Sequence, residues 1–142
     1  MSLIITGKGD FSLLQNFKSG DFSAYELYLN TYDESFVDQQ INLLPDHINI
    51  TSIHNPTQII IDGKRTLFDL ADPGKIGEES LNVLQKTISL GKKLGSKIIV
   101  IHGATYNHYN QTKNEALELL ASRVKPLLGG EISLSFETDM LW

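Results

Sequence analysis

The sequence has no cysteine among its 142 residues. Disulfide bonds and thiolate metal sites are therefore excluded, and any metal ion would have to be held by histidine and carboxylate side chains. The tyrosines and phenylalanines are scattered along the chain without interleaved basic residues. That pattern disfavours an RNA-binding surface, which combines stacking rings with positive charge.

Long hydrophobic runs are also missing, and none approaches the length of about 18 residues that a membrane-spanning helix needs. The N-terminus lacks the basic region and apolar stretch of a signal peptide, so we expect a cytoplasmic protein with no membrane partner. Positive charge is scarce: 12 Lys and Arg residues against 17 Asp and Glu residues give a formal net charge of −5. Because an acidic surface repels phosphate backbones, nucleic acid is not expected as a partner.

Hydrophobic residues make up 41% of the chain, enough for a folded core, and we expect a single domain over residues 1–142. Short apolar runs alternate with amphipathic segments. The apolar runs predict strands at residues 3–6, 24–29, 48–53, 97–101 and 132–136. Between them we predict a short helix capped by Asp10 or Ser12 and ended by Gly20, and helices at 35–44, 78–94 and 113–128.

Strands that alternate with helices predict an α/β fold with a parallel sheet, either an open doubly wound sheet or part of a TIM-type (β/α) barrel. The last predicted strand favours the barrel. Polar Ser133, Ser135 and Glu137 alternate there with apolar residues. A strand in a doubly wound sheet is covered on both faces, whereas a barrel strand has one inner and one outer face. We therefore predict a truncated TIM-type barrel of about five βα strands.

The connection at residues 57–77 is long for a loop, and it contains Asp62-Gly63, a turn signal. Loops of this length often bind or cover ligands, so we expect it to cover the substrate. Gly7-Lys8-Gly9 is interpreted as a loop after the first strand. It is too short for a phosphate-binding loop, which needs a longer pattern ending in Gly-Lys-Ser/Thr.

Three residues with metal-binding side chains follow three consecutive predicted strands: His54, His102 and Glu137. The carboxyl ends of parallel strands meet at one edge of the sheet, and neighbouring strands lie about 4.8 Å apart. The three side chains can therefore converge on one ion. Two imidazoles and a carboxylate are a common zinc site and also suit manganese or iron.

The segments that carry these residues resemble the third, fourth and fifth strand ends of the xylose-isomerase-like superfamily: SIHNP (52–56), IVIHGA (99–104) and SFETD (135–139). The helix at 78–94 followed by Gly95-Ser96-Lys97 also resembles a passage of that group. The resemblance covers most of the chain, best from about residue 49. It implies a TIM barrel in which His54, His102 and Glu137 bind a divalent metal, with zinc or manganese expected, and Glu137 also acts in catalysis.

The superfamily contains sugar and sugar-phosphate isomerases and epimerases, together with AP endonucleases. The resemblance therefore implies a metal-dependent isomerase or epimerase acting on a small sugar-like substrate. Two histidines beside a glutamate also resemble the multi-zinc site of the endonucleases, so a zinc phosphodiesterase is the alternative. A complete barrel has eight strands and about 250 residues, so the resemblance covers only an N-terminal part. A third reading is thus an inactive half-barrel that serves as an interaction module.

Weaker candidates surround this site. Glu26 and Tyr28 lie in the second predicted strand, and His108 lies in the loop after the fourth; Glu26 and His108 are candidate substrate-binding residues. A chain that stops after five barrel strands would leave the first and fifth strands without partners on one side. Because exposed edges promote pairing with other chains, we expect self-association through these strand edges.

Overall fold

The computed structural model describes residues 6–102 and 111–137. This part of the chain contains seven strands and four helices. The strands are β1 (Thr6–Gly9), β2 (Ala24–Tyr28), β3 (Ile50–His54), β4 (Gln58–Ile61), β5 (Lys64–Leu67), β6 (Ile98–His102) and β7 (Ser133–Glu137). The helices are α1 (Phe11–Leu14), α2 (Glu34–Ile41), α3 (Lys75–Leu94) and α4 (Lys113–Val124), and the 3₁₀ turn Lys125–Leu127 extends the last of them.

Five of the strands form one parallel sheet in the order β1-β2-β3-β6-β7. Apart from the β4–β5 hairpin, which forms a separate two-stranded sheet, the spatial order follows the chain order without a reversal. The predicted α/β class, the parallel pairing and the sequential order are confirmed. A doubly wound sheet would instead reverse its order at a switch point.

All four helices described here pack on one face of this sheet, which we call the covered face. Leu27, Ile53 and Ile99 are register partners on this face and are fully buried. Helix α3 lies directly over them, since a Cβ at Gly91 would meet the Cδ1 atom of Ile99 at 3.1 Å. Val37 of α2 and Val124 of α4 belong to the same core cluster. Most of the apolar burial of the chain therefore lies on this side.

The opposite face, which we call the open face, carries mainly polar side chains. One row of register partners runs across all five strands: Lys8, Glu26, Ser52, Ile98 and Ser133. Within the described ranges no helix covers this row, and Ile98 remains 41% exposed although it lies within a strand. The predicted alternation of β7 agrees with this arrangement, because Ser133 and Ser135 are exposed while Leu134 and Phe136 are partly buried.

The first strand differs from its prediction. Strand β1 runs over Thr6–Gly9, so Gly7-Lys8-Gly9 is part of the sheet and its interpretation as a loop is wrong. Residues 3–5 of the predicted strand lie outside the described residues. The two glycines are required by packing, since a Cβ would lie 2.7 Å from the Phe22 ring at position 7 and 2.7 Å from Leu13 at position 9. Strand pairing thus overrides the low β-propensity of glycine here.

The connection at residues 57–77 is also more ordered than predicted. It contains the β4–β5 hairpin, in which Ile59 is buried in the core. Asp62 and Gly63 have φ values of 50° and 76°, the conformation of a tight two-residue hairpin turn, so the turn signal is confirmed. The prediction of a loop without regular structure is wrong, because three consecutive isoleucines before the turn form a strand.

Helix α3 begins at Lys75, three residues earlier than predicted, because the Asp72 carboxylate accepts hydrogen bonds from the Gly74 and Gly77 N–H groups at 2.9 and 3.0 Å. The helix ends at Gly95, whose φ of 74° completes the left-handed turn typical of a helix C-terminus. No helix in the described part of the chain has the length and apolarity needed to cross a membrane.

Candidate metal centre

The three predicted ligands lie at the carboxyl ends of three neighbouring strands. His54 ends β3, His102 ends β6 and Glu137 ends β7, and all three side chains belong to the open face. His102 and Glu137 are register partners, and His54 lies beside Val100, two residues earlier in β6. The sheet thus brings all three to one point of its edge. One potential ligand atom from each lies within 4.8 Å of the other two.

The spacing of these atoms fits an ion between them better than direct contact. His54 Nε2 lies 3.5 Å and His102 Nδ1 lies 3.4 Å from the same Glu137 oxygen, Oε2. A charge-assisted N–H···O bond would be about 2.7–2.9 Å long. Ligand atoms about 2.0–2.1 Å from a tetrahedral ion lie about 3.3–3.5 Å from one another. The two separations that involve Glu137 match this spacing, and all three ligand atoms lie within 4.8 Å of one another, so the group can hold a metal ion.

His54 is fixed by its other ring nitrogen. Its Nδ1 lies 3.1 Å from the Asn55 carbonyl oxygen, and because a carbonyl only accepts, Nδ1 is the donor. In the neutral ring this leaves the Nε2 lone pair directed at Glu137. Metal-binding histidines almost always donate their second N–H in this way, which fixes the tautomer and the ring plane. Only 2% of His54 is exposed, so the ring is held firmly.

The second histidine, His102, contributes a ring nitrogen to the site. Its Nδ1 is buried and makes no hydrogen bond to any described residue. Burial lowers the pKa of His102, and the nearby His54 lowers it further, although the Glu137 carboxylate acts in the opposite direction. The lowered pKa favours the neutral ring, in which one of the two nitrogens carries a lone pair. An unpaired buried nitrogen of this kind suits a bound cation.

A second polar group lies on the open face, on β1 and β2, of which β2 pairs directly with β3. Glu26 accepts a hydrogen bond from Ser52 Oγ at 3.2 Å, and its other oxygen lies 2.7 Å from Lys8 Nζ. The Lys8 ammonium also lies 5.8 Å from the centre of the Tyr28 ring, which in turn lies 5.1 Å from the His54 ring. Glu26 and Tyr28 are thus on the same surface as the candidate ligands.

Sequence reasoning missed two features of this surface. Lys8 received no role because its glycine neighbours indicated a loop, and only its pairing with Glu26 places it beside the site. Asn55 orients His54 through its backbone carbonyl, which no side-chain pattern reveals. The remaining candidate, His108, lies outside the described residues.

The arrangement combines two imidazole nitrogens, one carboxylate oxygen and an adjacent ion pair on an open sheet face. Chemically, such a set can hold a divalent transition metal and leave its remaining coordination positions for a substrate. The metal is not specified by these atoms alone, since zinc, manganese and iron accept the same ligand types. Comparison with protein-family models and with curated protein sequences finds no match for this chain.

Proposed function

We propose that this chain is a domain of a metal-dependent sugar or sugar-phosphate isomerase or epimerase of the xylose-isomerase-like kind. The observation that carries the proposal is the convergence of His54, His102 and Glu137 at the carboxyl edge of a parallel sheet, within 4.8 Å of one another. Zinc or manganese is the metal we propose for this site. Enzymes of the (β/α) barrel type place their active sites at this same edge.

The sheet itself supports the barrel assignment. Its strands follow chain order, and the helices lie on one face only. In a barrel the helices form an outer ring and the opposite face becomes the inner wall, so the open face described above takes the place of that wall. We propose that further strands, or a second copy of the chain, complete the wall along β1 and β7. These two strands are at the ends of the sheet order.

When bound, the metal would act as a Lewis acid that polarises the carbonyl and hydroxyl oxygens of the substrate. The protein side chains have separate tasks. His54 and His102 supply lone pairs, and Glu137 supplies the negative charge that balances the cation. Glu26, held between Lys8 and Ser52, accepts hydrogen bonds from substrate hydroxyls. The Lys8 ammonium, 2.7 Å from the other Glu26 oxygen, holds the carboxylate in this position.

One feature supports a second candidate. Two histidines beside a glutamate suit a zinc phosphodiesterase that cleaves DNA at abasic sites, whereas the net charge of −5 opposes binding of a polyanion. The two activities are separable in one preparation. NMR spectroscopy detects conversion of an aldose to a ketose or an epimer, and a labelled abasic duplex reports cleavage. We expect sugar conversion from an assembled form and no cleavage of the duplex; cleavage without sugar conversion would favour the endonuclease.

Metal binding is the first test. Isothermal titration with Zn²⁺ and Mn²⁺ should show one site per chain, and His54→Ala or His102→Ala should weaken it by more than about tenfold. His47→Ala is the matched control, since His47 also has an imidazole but bonds the Phe17 carbonyl far from the site. Equal weakening by His47→Ala, or no metal binding by the unmodified protein, would contradict the proposal.

Assembly is tested by light scattering. The isolated chain should form a dimer or larger species, with little or no isomerase activity as a monomer. A clean monomer at high micromolar concentration that melts cooperatively would show that the edges of β1 and β7 need no partner. Measured turnover by that monomer would show that the five strands already contain a complete site.

A further inference from the structure

A cavity of about 500 Å³ lies next to the candidate metal centre, at the carboxyl ends of β1 and β2. Asp10 follows β1, Asn30 follows β2, and Asp33 and Phe36 belong to the start of α2. Tyr28 lines the same cavity, and its ring lies 5.1 Å from that of His54. A molecule bound here would therefore reach the metal ligands past a single side chain. The volume is within the usual range for small-molecule sites.

Two carboxylates dominate the chemistry of its wall. Asp10 caps α1 by accepting a hydrogen bond from the Leu13 N–H at 2.9 Å. Asp33 caps α2 in the same way through the Phe36 N–H, also at 2.9 Å. Each cap uses one carboxylate oxygen. Neither side chain makes a further hydrogen bond or ion pair with a described residue, so the second oxygen of each is available as an acceptor.

The two aspartate caps also disfavour phosphate as a ligand of this cavity. The N–H groups at a helix N-terminus ordinarily attract phosphate, because they donate hydrogen bonds and carry partial positive charge. In both helices beside this cavity, that place is taken by the helix's own aspartate. A phosphate group carries a charge of about −1.5 to −2 at pH 7, and it would have to enter beside two carboxylates.

Positively charged side chains near the cavity do not offset the two carboxylates. No lysine or arginine lines the cavity among the described residues. Lys8 lines an adjoining open groove together with Asp10 and Tyr28, but its ammonium is already paired with Glu26 at 2.7 Å. The remaining wall has the amide groups of Gln15, Gln40 and Asn30 and the rings of Phe11 and Phe36. Amides and carboxylates match hydroxyl groups, and rings match the C–H side of a sugar.

We infer that this cavity binds the uncharged polyhydroxylated part of the substrate and rejects a phosphorylated one. The inference rests on the proposed function, because it assigns a substrate class to that same site: a neutral sugar or polyol rather than a sugar phosphate. Asp10 and Asp33 accept hydrogen bonds from its hydroxyl groups. The end of the ligand near Tyr28 then lies toward His54.

The test compares two ligands that differ only in the phosphate. Zinc-treated, ¹⁵N-labelled protein is titrated with D-sorbitol and with D-sorbitol 6-phosphate, and amide shifts over residues 28–36 report binding. We expect sorbitol to bind about tenfold more tightly than its phosphate, which corresponds to about 1.4 kcal/mol. Equal or tighter binding of the phosphate would overturn the inference. So would the absence of sorbitol-dependent shifts at residues 28–36.

A matched pair of variants identifies the cause. Asp33→Asn removes one negative charge but keeps the helix cap, since asparagine caps as well as aspartate. It should reduce the preference for sorbitol by about threefold or more. Asp38→Asn removes the same charge from the same helix, where Asp38 pairs with Lys93 at 2.9 Å, and should leave the preference unchanged. Equal effects of the two substitutions would overturn the role of Asp33.

Zinc binding is measured on the same samples by titration without sugar. Sorbitol shifts at residues 28–36 in a protein that binds no zinc would support the cavity while contradicting the metal-dependent function. Zinc binding without sorbitol shifts would support the metal site while contradicting sugar binding in the cavity. The failure of one proposal is thus distinguishable from the failure of the other.

Discussion

The two faces of the five-stranded sheet are built from the same strands but carry different kinds of side chain. The covered face holds Leu27, Ile53 and Ile99, all fully buried beneath the helices. The open face holds charged, hydroxyl and imidazole groups, and one of its isoleucines is 41% exposed. Because side chains alternate along a strand, each strand contributes to both faces at once. The apolar core that stabilises the protein and the candidate metal centre thus lie on opposite faces of the same sheet.

The largest difference between the faces should appear in adjacent isoleucines of β6. Ile99→Ala removes a side chain that is 0% exposed from the covered face, and we expect a loss of about 2–5 kcal/mol in the free energy of unfolding. Ile98→Ala removes the same atoms from the open face, where the loss should stay below about 1 kcal/mol. Urea denaturation of both variants measures the contrast. Similar losses would mean that the open face is packed against something in solution, such as a second copy.

Metal binding, rather than apolar packing, should stabilise the open face. At a free zinc concentration 100 times its Kd, binding adds about 2.7 kcal/mol to the stability of the folded protein. His102→Ala should remove most of that gain while changing the metal-free stability by less than about 1 kcal/mol, because His102 is partly exposed at a strand end. Thermal melts with and without zinc give both values. A variant that unfolds without metal would show that His102 is primarily a packing residue.

The ion pair between Lys8 and Glu26 tests whether the open face contributes to stability through its charges. The Lys8 side chain is 52% exposed, so solvent screens the pair, and such pairs contribute about 0–1 kcal/mol. Glu26→Gln should therefore have little effect on unfolding in urea, but it should weaken binding of a hydroxylated ligand. Ser133→Ala, in the same row of the open face, is the control for both measurements. A stability loss above about 2 kcal/mol would assign Glu26 to the core instead.

The covered face was the easier one to predict. The apolar run of β6 and the leucine-rich pattern of α3 each indicate one structure, because their hydrophobic residues repeat with a strand or helix period. Strand β1 could not be predicted in the same way. Its two glycines disfavour a strand locally. Glycine is needed at these positions because of tertiary packing, since Phe22 and Leu13 occupy the space that a Cβ would fill. The β4–β5 hairpin was missed although Asp62-Gly63 was recognised as a turn.

The convergence of His54, His102 and Glu137 could be predicted for a topological reason. Each follows a strand, and parallel strands bring their carboxyl ends to one edge whatever the exact register. The cavity could not be predicted, because Asp10 and Asp33 are both helix caps, and a cap is the ordinary explanation for an aspartate at that position. That both aspartates line one cavity follows only from how α1 and α2 pack.

The smallest expected effect concerns α4, the last of the helices on the covered face. Thr112 and Glu115 form a reciprocal cap at its start: the Thr112 hydroxyl oxygen accepts from the Glu115 N–H, and the Glu115 carboxylate accepts from the Thr112 N–H. These bonds, the one from the Thr112 backbone first, lower the pKa of Glu115 from its ordinary 4.5. A lowered carboxyl pKa stabilises the fold above pH 4.5, and that contribution disappears as the pH falls through the lowered value.

Glu115→Gln keeps the cap but cannot ionise, so its stability should fall less steeply below pH 4.5. Urea titrations between pH 3 and pH 6 measure the two slopes, with Glu118→Gln on the same helix as the control. Parallel slopes for the variant and the unmodified protein would show that the cap does not depend on the charge of Glu115.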